Sequence, residues 1–286
     1  MPKVSVLMPV YKTKERYLRE AIESILSQTY ADFELLILDD CPEDTRESIV
    51  KSYKDKRIKY YKNDHNLGIS KSRNKLIDMA NGEYLAVFDH DDVSLPERLE
   101  KEVAYLDGNP EVGVVSCVVK QIVRNRLSEN PTEDHNIKLA LMRTCAINHS
   151  AAMIRKSVLV DNNIRYEEEF SPSEDYALWC RLIPYTKFHN LQEVLFHYRD
   201  HDDNTSHHQG GKMQNATFAI WSFVKVSNPE LYEEFLLKAK HTKCWRLFGF
   251  IPLITKIDQG NHSKICLFEK IPLFTSKVTI KLKGEG

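Results

Sequence analysis

The sequence predicts an α/β fold: a mostly parallel sheet flanked by helices, with a small C-terminal extension. Three observations predict it. Short apolar runs alternate with amphipathic segments through the first 110 or so residues, the pattern of strands joined by crossover helices. The apolar runs are continuous rather than alternating, as in strands buried on both faces. Three of them end abruptly in polar or acidic residues, at Pro9–Tyr11, Asp39–Asp40 and Asp89–Asp92. Ligands of open parallel sheets bind beyond the carboxyl ends of the strands.

The elements follow in order. Val4–Val10 reads as the first strand, and residues 17–28 place Leu18, Ala21, Ile22, Ile25 and Leu26 on one helical face. Residues 33–38 form a second strand, residues 44–53 a helix and residues 57–61 a third strand. After a loop at 63–68, a helix at 69–80 stops at Asn81-Gly82, which reads as its C-cap. Residues 84–88 form the fourth strand. Beyond Pro110 the pattern changes: an apolar run at 112–123, a polar stretch, Asn148-His149-Ser150, and a helix opening at Glu174-Asp175. Residues 1–110 are expected to form the nucleotide-binding half and 111–206 the acceptor-binding half of one catalytic domain. Residues 207–286 form the extension.

Composition narrows the function. A chain of 286 residues with 42% hydrophobic residues can bury a core without a metal or disulfide staple. A net charge of -1 argues against a general nucleic-acid binder. The six cysteines are far apart with no C-x-x-C pair, as in a reducing compartment. No run approaches the roughly 18 apolar residues of a membrane span, and the N-terminal run is too short for a signal peptide. The expected location is therefore the cytoplasm.

Asp89, Asp91 and Asp92 put three carboxylates within four residues. They repel one another unless a cation compensates them, and hard oxygen ligands suit Mn²⁺ or Mg²⁺. A loop capping the following helix is the alternative. No glycine-rich phosphate cradle is present, so a bound nucleotide diphosphate would need its charge neutralised by such a metal.

Several segments in this order carry a resemblance. They are residues 4–11, Ser24 to Tyr30, Asp32 to Leu35, Asp39-Asp40, Asn66-Leu67-Gly68-Ile69 with Arg73-Asn74, and Gly82-Glu83-Tyr84. The series continues with Asp89-x-Asp91-Asp92, Leu95 to Leu99, Glu174-Asp175-Tyr176 and Tyr198-Arg199. Together they resemble the family 2 glycosyltransferases of the GT-A (Rossmann-like) fold, over residues 3 to about 206.

The resemblance implies an inverting transfer of a sugar from a nucleotide diphosphate donor, a UDP-sugar, to a hydroxyl of a glycan or lipid-linked acceptor. It also implies a setting in bacterial polysaccharide or lipopolysaccharide biosynthesis, with a hexosyl or N-acetylhexosaminyl group transferred. Pro9, Val10 and Tyr11 would line the base pocket, Asp40 would bind the base, and Arg73 would approach the base or the phosphates. Asp89 and Asp91 would hold the ribose and the metal, with His201 as a third metal ligand. Asp92 is either a supporting ligand or a helix cap, and His90 would point away. Asp175 would be the general base, with Glu174 and His149 near the acceptor. Each has a plainer alternative: a core aromatic at Tyr11, a turn at Asp40, a solvated basic face at Arg73 beside Lys71 and Lys75, and first-turn acids at Glu174-Asp175. His149 and His201 could be ordinary histidines.

The extension carries a repeat, Leu247-Phe248-x-x-Ile251-Pro252-Leu253-x-Thr255 and Leu267-Phe268-x-x-Ile271-Pro272-Leu273-x-Thr275, set among lysines. It is expected either to sit in the headgroup layer of an anionic membrane or to form short strands packing on protein. Two rival functions remain at this stage. Asp89-x-Asp91-x-Val93 fits the nucleophile motif of a haloacid-dehalogenase-type phosphohydrolase, although that motif normally opens the first strand. A non-catalytic sugar-binding or scaffold module would not be expected to retain all the acids.

Overall fold

The computed structural model describes residues 1–200, 210–238, 243–247, 251–259, 262–267 and 271–277. The chain forms two compact units, Met1–Ser227 and Asn228–Gly286. The first opens with β1 (Val4–Val10), α1 (Glu15–Leu26), β2 (Phe33–Asp39), α2 (Glu47–Lys51), β3 (Ile58–Lys62), α3 (Ile69–Met79) and β4 (Tyr84–Val87). It continues with β5 (Val93–Ser94), α4 (Arg98–Gly108), β6 (Val112–Gln121), β7 (Arg126–Leu127), α5 (Asp134–Leu141), β8 (Met153–Arg155) and α6 (Lys156–Asp161). Helix α7 (Glu174–Leu182), strand β9 (Lys187–Tyr198) and helix α8 (Gly210–Ser227) complete it.

These strands make one nine-stranded sheet in the order β3-β2-β1-β4-β8-β6-β9-β5, with β7 paired to β6. The run β3-β2-β1-β4 is parallel, β8 is antiparallel to both β4 and β6, and β9 is again parallel to β6. Only the short strands β5, β7 and β8 oppose the common direction. Strands β1 and β2 are buried at every position, the polar Ser5, Glu34 and Asp39 included. Helix α1 buries Leu18, Ala21, Ile22, Ser24 and Ile25 and carries the i,i+4 pairs Glu15–Arg19 and Arg16–Glu20 on its outer face.

Two buried side chains, Gln28 and Arg98, fix the strand ends. Gln28 donates from Nε2 to Ser94 Oγ (3.1 Å) and to the Leu95 carbonyl (2.8 Å), and accepts from the Leu99 N–H (3.0 Å). It thus ties the end of α1 to the chain that follows β4. The Arg98–Glu102 pair is wholly buried, and Arg98 Nη2 donates to the Val87 carbonyl (3.0 Å). Burial raises the Glu102 carboxyl to about 7 against the opposing pull of Arg98.

Two local predictions need correction. The helix predicted at 44–53 shrinks to Glu47–Lys51, because Asp39 accepts the Arg46 N–H (2.6 Å) while Arg46 Nε reaches the Thr13 carbonyl (2.7 Å). Those bonds hold the preceding residues as a turn. Gly82 does not cap α3, which ends at Met79 with Ala80 as an extended C-cap; a Cβ at Gly82 would instead lie 2.5 Å from Ser5 N and 2.7 Å from Val4 C. The backbone of β1 cannot yield to it. Gly82→Ala is therefore expected to destabilise the fold by about 2–3 kcal/mol, in the range of overpacking, read as a fall in the thermal midpoint.

The second unit begins with α9 (Pro229–Lys238) and holds a four-stranded antiparallel sheet of β10 (Lys243–Leu247), β11 (Ile251–Gln259), β12 (His262–Leu267) and β13 (Ile271–Lys277). The sequence repeat is a repeated hairpin. Leu247 pairs Ile251 and Leu267 pairs Ile271, and each hairpin has a register shift one or two residues before its first leucine. Pro252 and Pro272 sit beside those shifts, where proline is tolerated in a sheet. Phe248 and Phe268 lie outside the described residues. No helix among the described residues is long and apolar enough to cross a membrane.

Candidate active site

The carboxyl ends of β1, β2 and β4 open into one cleft of about 1440 Å³ in the first unit, lined by residues from both sequence halves. Pro9, Val10 and Tyr11 form one wall, with Tyr11 44% exposed and so not a core aromatic. Asp40 is buried, and its carboxylate accepts from Asn63 Nδ2 (2.8 Å) and from the backbone N–H groups of Leu67 (2.8 Å) and Gly68 (2.9 Å). It shapes the loop leading into α3 as well as lining the cleft. Gly68 has φ +80 at the start of that helix, a conformation that glycine adopts without strain.

At the end of β4, Asp89, His90 and Asp91 line the cleft. The His90 Nδ1 lies 3.9 Å from Asp91 Oδ1. Asp92 is fully buried and accepts the Arg199 N–H at 2.8 Å, so it pins β9 to the acidic loop rather than capping a helix. Arg199 adds a bond from Nε to the Asp91 carbonyl (2.8 Å) and an ion pair to Glu20. Burial, then the charges of Asp91 and Asp89, push the Asp92 carboxyl well above the carboxylate range.

Arg73 is the pivot of the site. The solvated basic face left open by the sequence is not what forms; the guanidinium is buried. Its Nη1 donates to Glu174 Oε1 (2.7 Å) and its Nη2 to Asp89 Oδ1 (3.2 Å). One cation thus joins the acidic loop after β4 to the start of α7. Next to Glu174, Asp175 lies half-buried in the cleft wall, its Oδ1 accepting the Tyr176 N–H (2.7 Å). Loss of hydration raises its carboxyl to about 6; the Glu174 charge adds to the rise and Arg73 opposes it. These are the conditions for a carboxylate to act as a base near neutral pH.

His149 is buried beside Arg73, its Nε2 2.8 Å from Tyr166 Oη and its ring against Trp179. Burial and the Arg73 charge drive its pKa well below the usual value, so the ring stays neutral. Asn74 and Tyr166 complete the cluster, and Tyr166 is absent from the sequence reading. Asn74 holds Tyr166 by both its backbone N–H (2.9 Å) and carbonyl (2.8 Å), and the Tyr166 ring lies under the Arg73 guanidinium. No periodicity or motif marks position 166.

His201 lies outside the described residues. Among the described residues, no three His, Cys, Asp or Glu side chains converge on a metal site. The acids nonetheless fit a hard divalent cation in part. Asp92 Oδ2 is buried without a partner among the described residues, and two further carboxylates face the cleft beside it. A cation there would take Asp89 and Asp91 and complete its shell with diphosphate and water oxygens. Cys41, Cys117, Cys145 and Cys180 carry free thiols.

Comparison with known proteins follows the same outline. Residues 5–161 match the family described as Glycosyl transferase family 2. An uncharacterized glycosyltransferase of Methanocaldococcus jannaschii is 38% identical over 207 residues, covering 69% of this chain and 71% of its own. The O-antigen biosynthesis glycosyltransferase WbnJ of Escherichia coli is 32% identical over 233 residues, covering 78% and 89%. Among solved structures, S. aureus TarS 1-349 in complex with UDP-GlcNAc superposes with a TM-score of 0.67 at 21% identity, covering 82% of this chain and 71% of that one. That likeness is one of fold.

Proposed function

The chain belongs to glycosyl transferase family 2, and from that premise we propose that it transfers a sugar, with inversion, from a UDP-sugar to a hydroxyl of a glycan or lipid-linked acceptor. Membership of the family sets aside the phosphohydrolase and scaffold readings. One observation carries the proposal: a carboxyl raised to about 6, Asp175, shares a cleft with the Asp89–Asp91 pair and is linked to it through Glu174 and Arg73. A base on the acceptor side thereby faces an anion-handling loop on the donor side.

The step balances simply. The acceptor oxygen attacks the anomeric carbon as its proton passes to Asp175. The bond from that carbon to the diphosphate oxygen breaks, and UDP leaves with the electron pair. A single displacement inverts the anomeric centre. Mn²⁺ or Mg²⁺ held by Asp89 and Asp91, with His201 as a candidate third ligand, would neutralise charge on the leaving diphosphate. Tyr11, Pro9, Val10 and Asp40 would seat the base, and Glu174 and His149 would shape the acceptor end. The relative named for O-antigen biosynthesis supports a setting in surface-polysaccharide or lipopolysaccharide assembly, on the cytoplasmic side. The lysine-flanked hairpins of the extension would favour a membrane-bound acceptor.

Thermal unfolding of the full chain tests the donor site. UDP at roughly 100 times its dissociation constant should stabilise by about 2.7 kcal/mol, a rise of several degrees. The rise should require Mn²⁺ or Mg²⁺ and disappear in Asp91→Asn. Stabilisation by GDP in place of UDP would change the donor class, and no shift with either nucleotide would sink the donor-site assignment.

A further inference from the structure

The hairpin that joins β6 to β7 presents an apolar tip. Its strands pair Lys120 with Leu127 and Gln121 with Arg126, leaving residues 122–125 as the turn, with Asn125 at φ 49. Asparagine tolerates that left-handed conformation better than most residues. The base of the hairpin is fixed. The Ile122 N–H donates to the Tyr198 carbonyl (2.9 Å), the Ser128 N–H donates to the Val119 carbonyl (2.9 Å), and Asn148 Nδ2 donates to Ser128 Oγ (2.9 Å). On this anchored base Val123 is 69% exposed, Leu127 53% and Ile122 40%. Single exposed aliphatics need no explanation, but three on one short hairpin do.

Charge indicates what covers them. Between Glu111 and Glu129 the chain has Lys120, Arg124 and Arg126 and no acid. Arg124 reaches Asp200 at 2.6 Å while its side chain stays 52% exposed. Aliphatics interleaved with cations are the composition of a segment seated at the headgroup boundary of an anionic bilayer, where apolar burial and attraction to anionic lipid add. The position also fits. Gln121, Arg124, Arg126, Leu127 and Ser128 line the rim of the catalytic cleft, so a surface that meets this tip lies at the mouth through which an acceptor enters.

We propose that the 122–127 hairpin docks the mouth of the cleft onto an anionic membrane surface, presenting the site to an acceptor held there by a lipid. This deepens the reading of a lipid-linked acceptor and rests on it for its purpose. The binding itself requires no donor and no turnover, so it stands or falls separately from the reaction.

The test is co-sedimentation of the full chain with vesicles of phosphatidylcholine alone and of phosphatidylcholine with phosphatidylglycerol. The wild type should partition onto the anionic vesicles, less so at high salt. Val123→Asp, and Ile122→Asp with Val123→Asp, should lower that partition at least tenfold with an unchanged thermal midpoint, and Val123→Trp should raise it. Three results would overturn the proposal. The aspartate variants could bind as the wild type does, which would place any membrane contact in the extension. The wild type could ignore both vesicles. A dimer could form that is lost in Val123→Asp while vesicles bind neither protein, in which case a second copy covers the tip.

Discussion

Replacing Asp175 with asparagine should lower the rate of transfer by about 10²–10⁴-fold, the usual contribution of a positioned base, while UDP still raises the thermal midpoint. In the wild type the active form is the ionised carboxylate. With its carboxyl raised to about 6 by burial and by Glu174, kcat/KM should climb with pH up to that value and then level off. The variant should lose the climb. Stability should move the other way. A carboxyl whose folded-state pKa lies above its unfolded value of about 3.9 favours the fold in acid, and this contribution is lost as pH rises through 6. At pH 8 the ionised Asp175 therefore weakens the fold, and Asp175→Asn should be the more stable protein. The gain should be on the order of 1 kcal/mol, because water reaching the cleft screens part of the effect, and it should vanish near pH 4. An aspartate retained only for helix capping predicts the opposite, a less stable variant with near-normal turnover. That result would move the base elsewhere in the cleft.

The parts of this site visible in the sequence are those with a local signature. Apolar runs that stop at acids mark β2 and β4, and both ends do line the cleft. Arg73 could not be told apart from Lys71 and Lys75, since all three alternate on one helix. Lys71 pairs with Glu168 at the surface, whereas Arg73 turns inward to Glu174, 101 positions away. Tyr166 enters through Asn74, 92 positions away, with no composition cue at all. Asp92 could not be resolved between ligand and cap because its partner, the Arg199 N–H, lies 107 positions away, just past the end of β9. The shortening of α2 has a similar cause. The helical pattern at 44–53 is genuine, but Asp39 captures the Arg46 N–H from outside the segment. Hydrogen bonds and ion pairs from outside the segment decided each case, and periodicity does not report them.

Arg73→Met should be the most damaging substitution in the site. The Arg73–Glu174 pair is over nine-tenths removed from solvent on both sides, and breaking such a pair from one side costs about 3–5 kcal/mol because the partner charge is left without compensation. For a unit of this size that is a fall of roughly 10 °C in the thermal midpoint. The loss should be larger at pH 8 than at pH 5, since Asp175, whose carboxyl is raised to about 6, would then be ionised with no cation beside it. A double-mutant cycle separates repulsion from lost packing. If repulsion dominates, Glu174→Gln should recover much of the stability in the Arg73→Met background, although alone it destabilises by leaving Arg73 paired to Asp89 without Glu174. Arg73→Lys should recover only part, because a single ammonium cannot span two carboxylates with the reach of a guanidinium fork. The variant also carries a kinetic signature. Arg73 now opposes the rise of the Asp175 carboxyl, so its removal should move the acid limb of kcat/KM to higher pH. A stability loss with an unmoved limb would confine Arg73 to holding the fold. Both changes together would make it the residue through which the donor-side acids set the strength of the base.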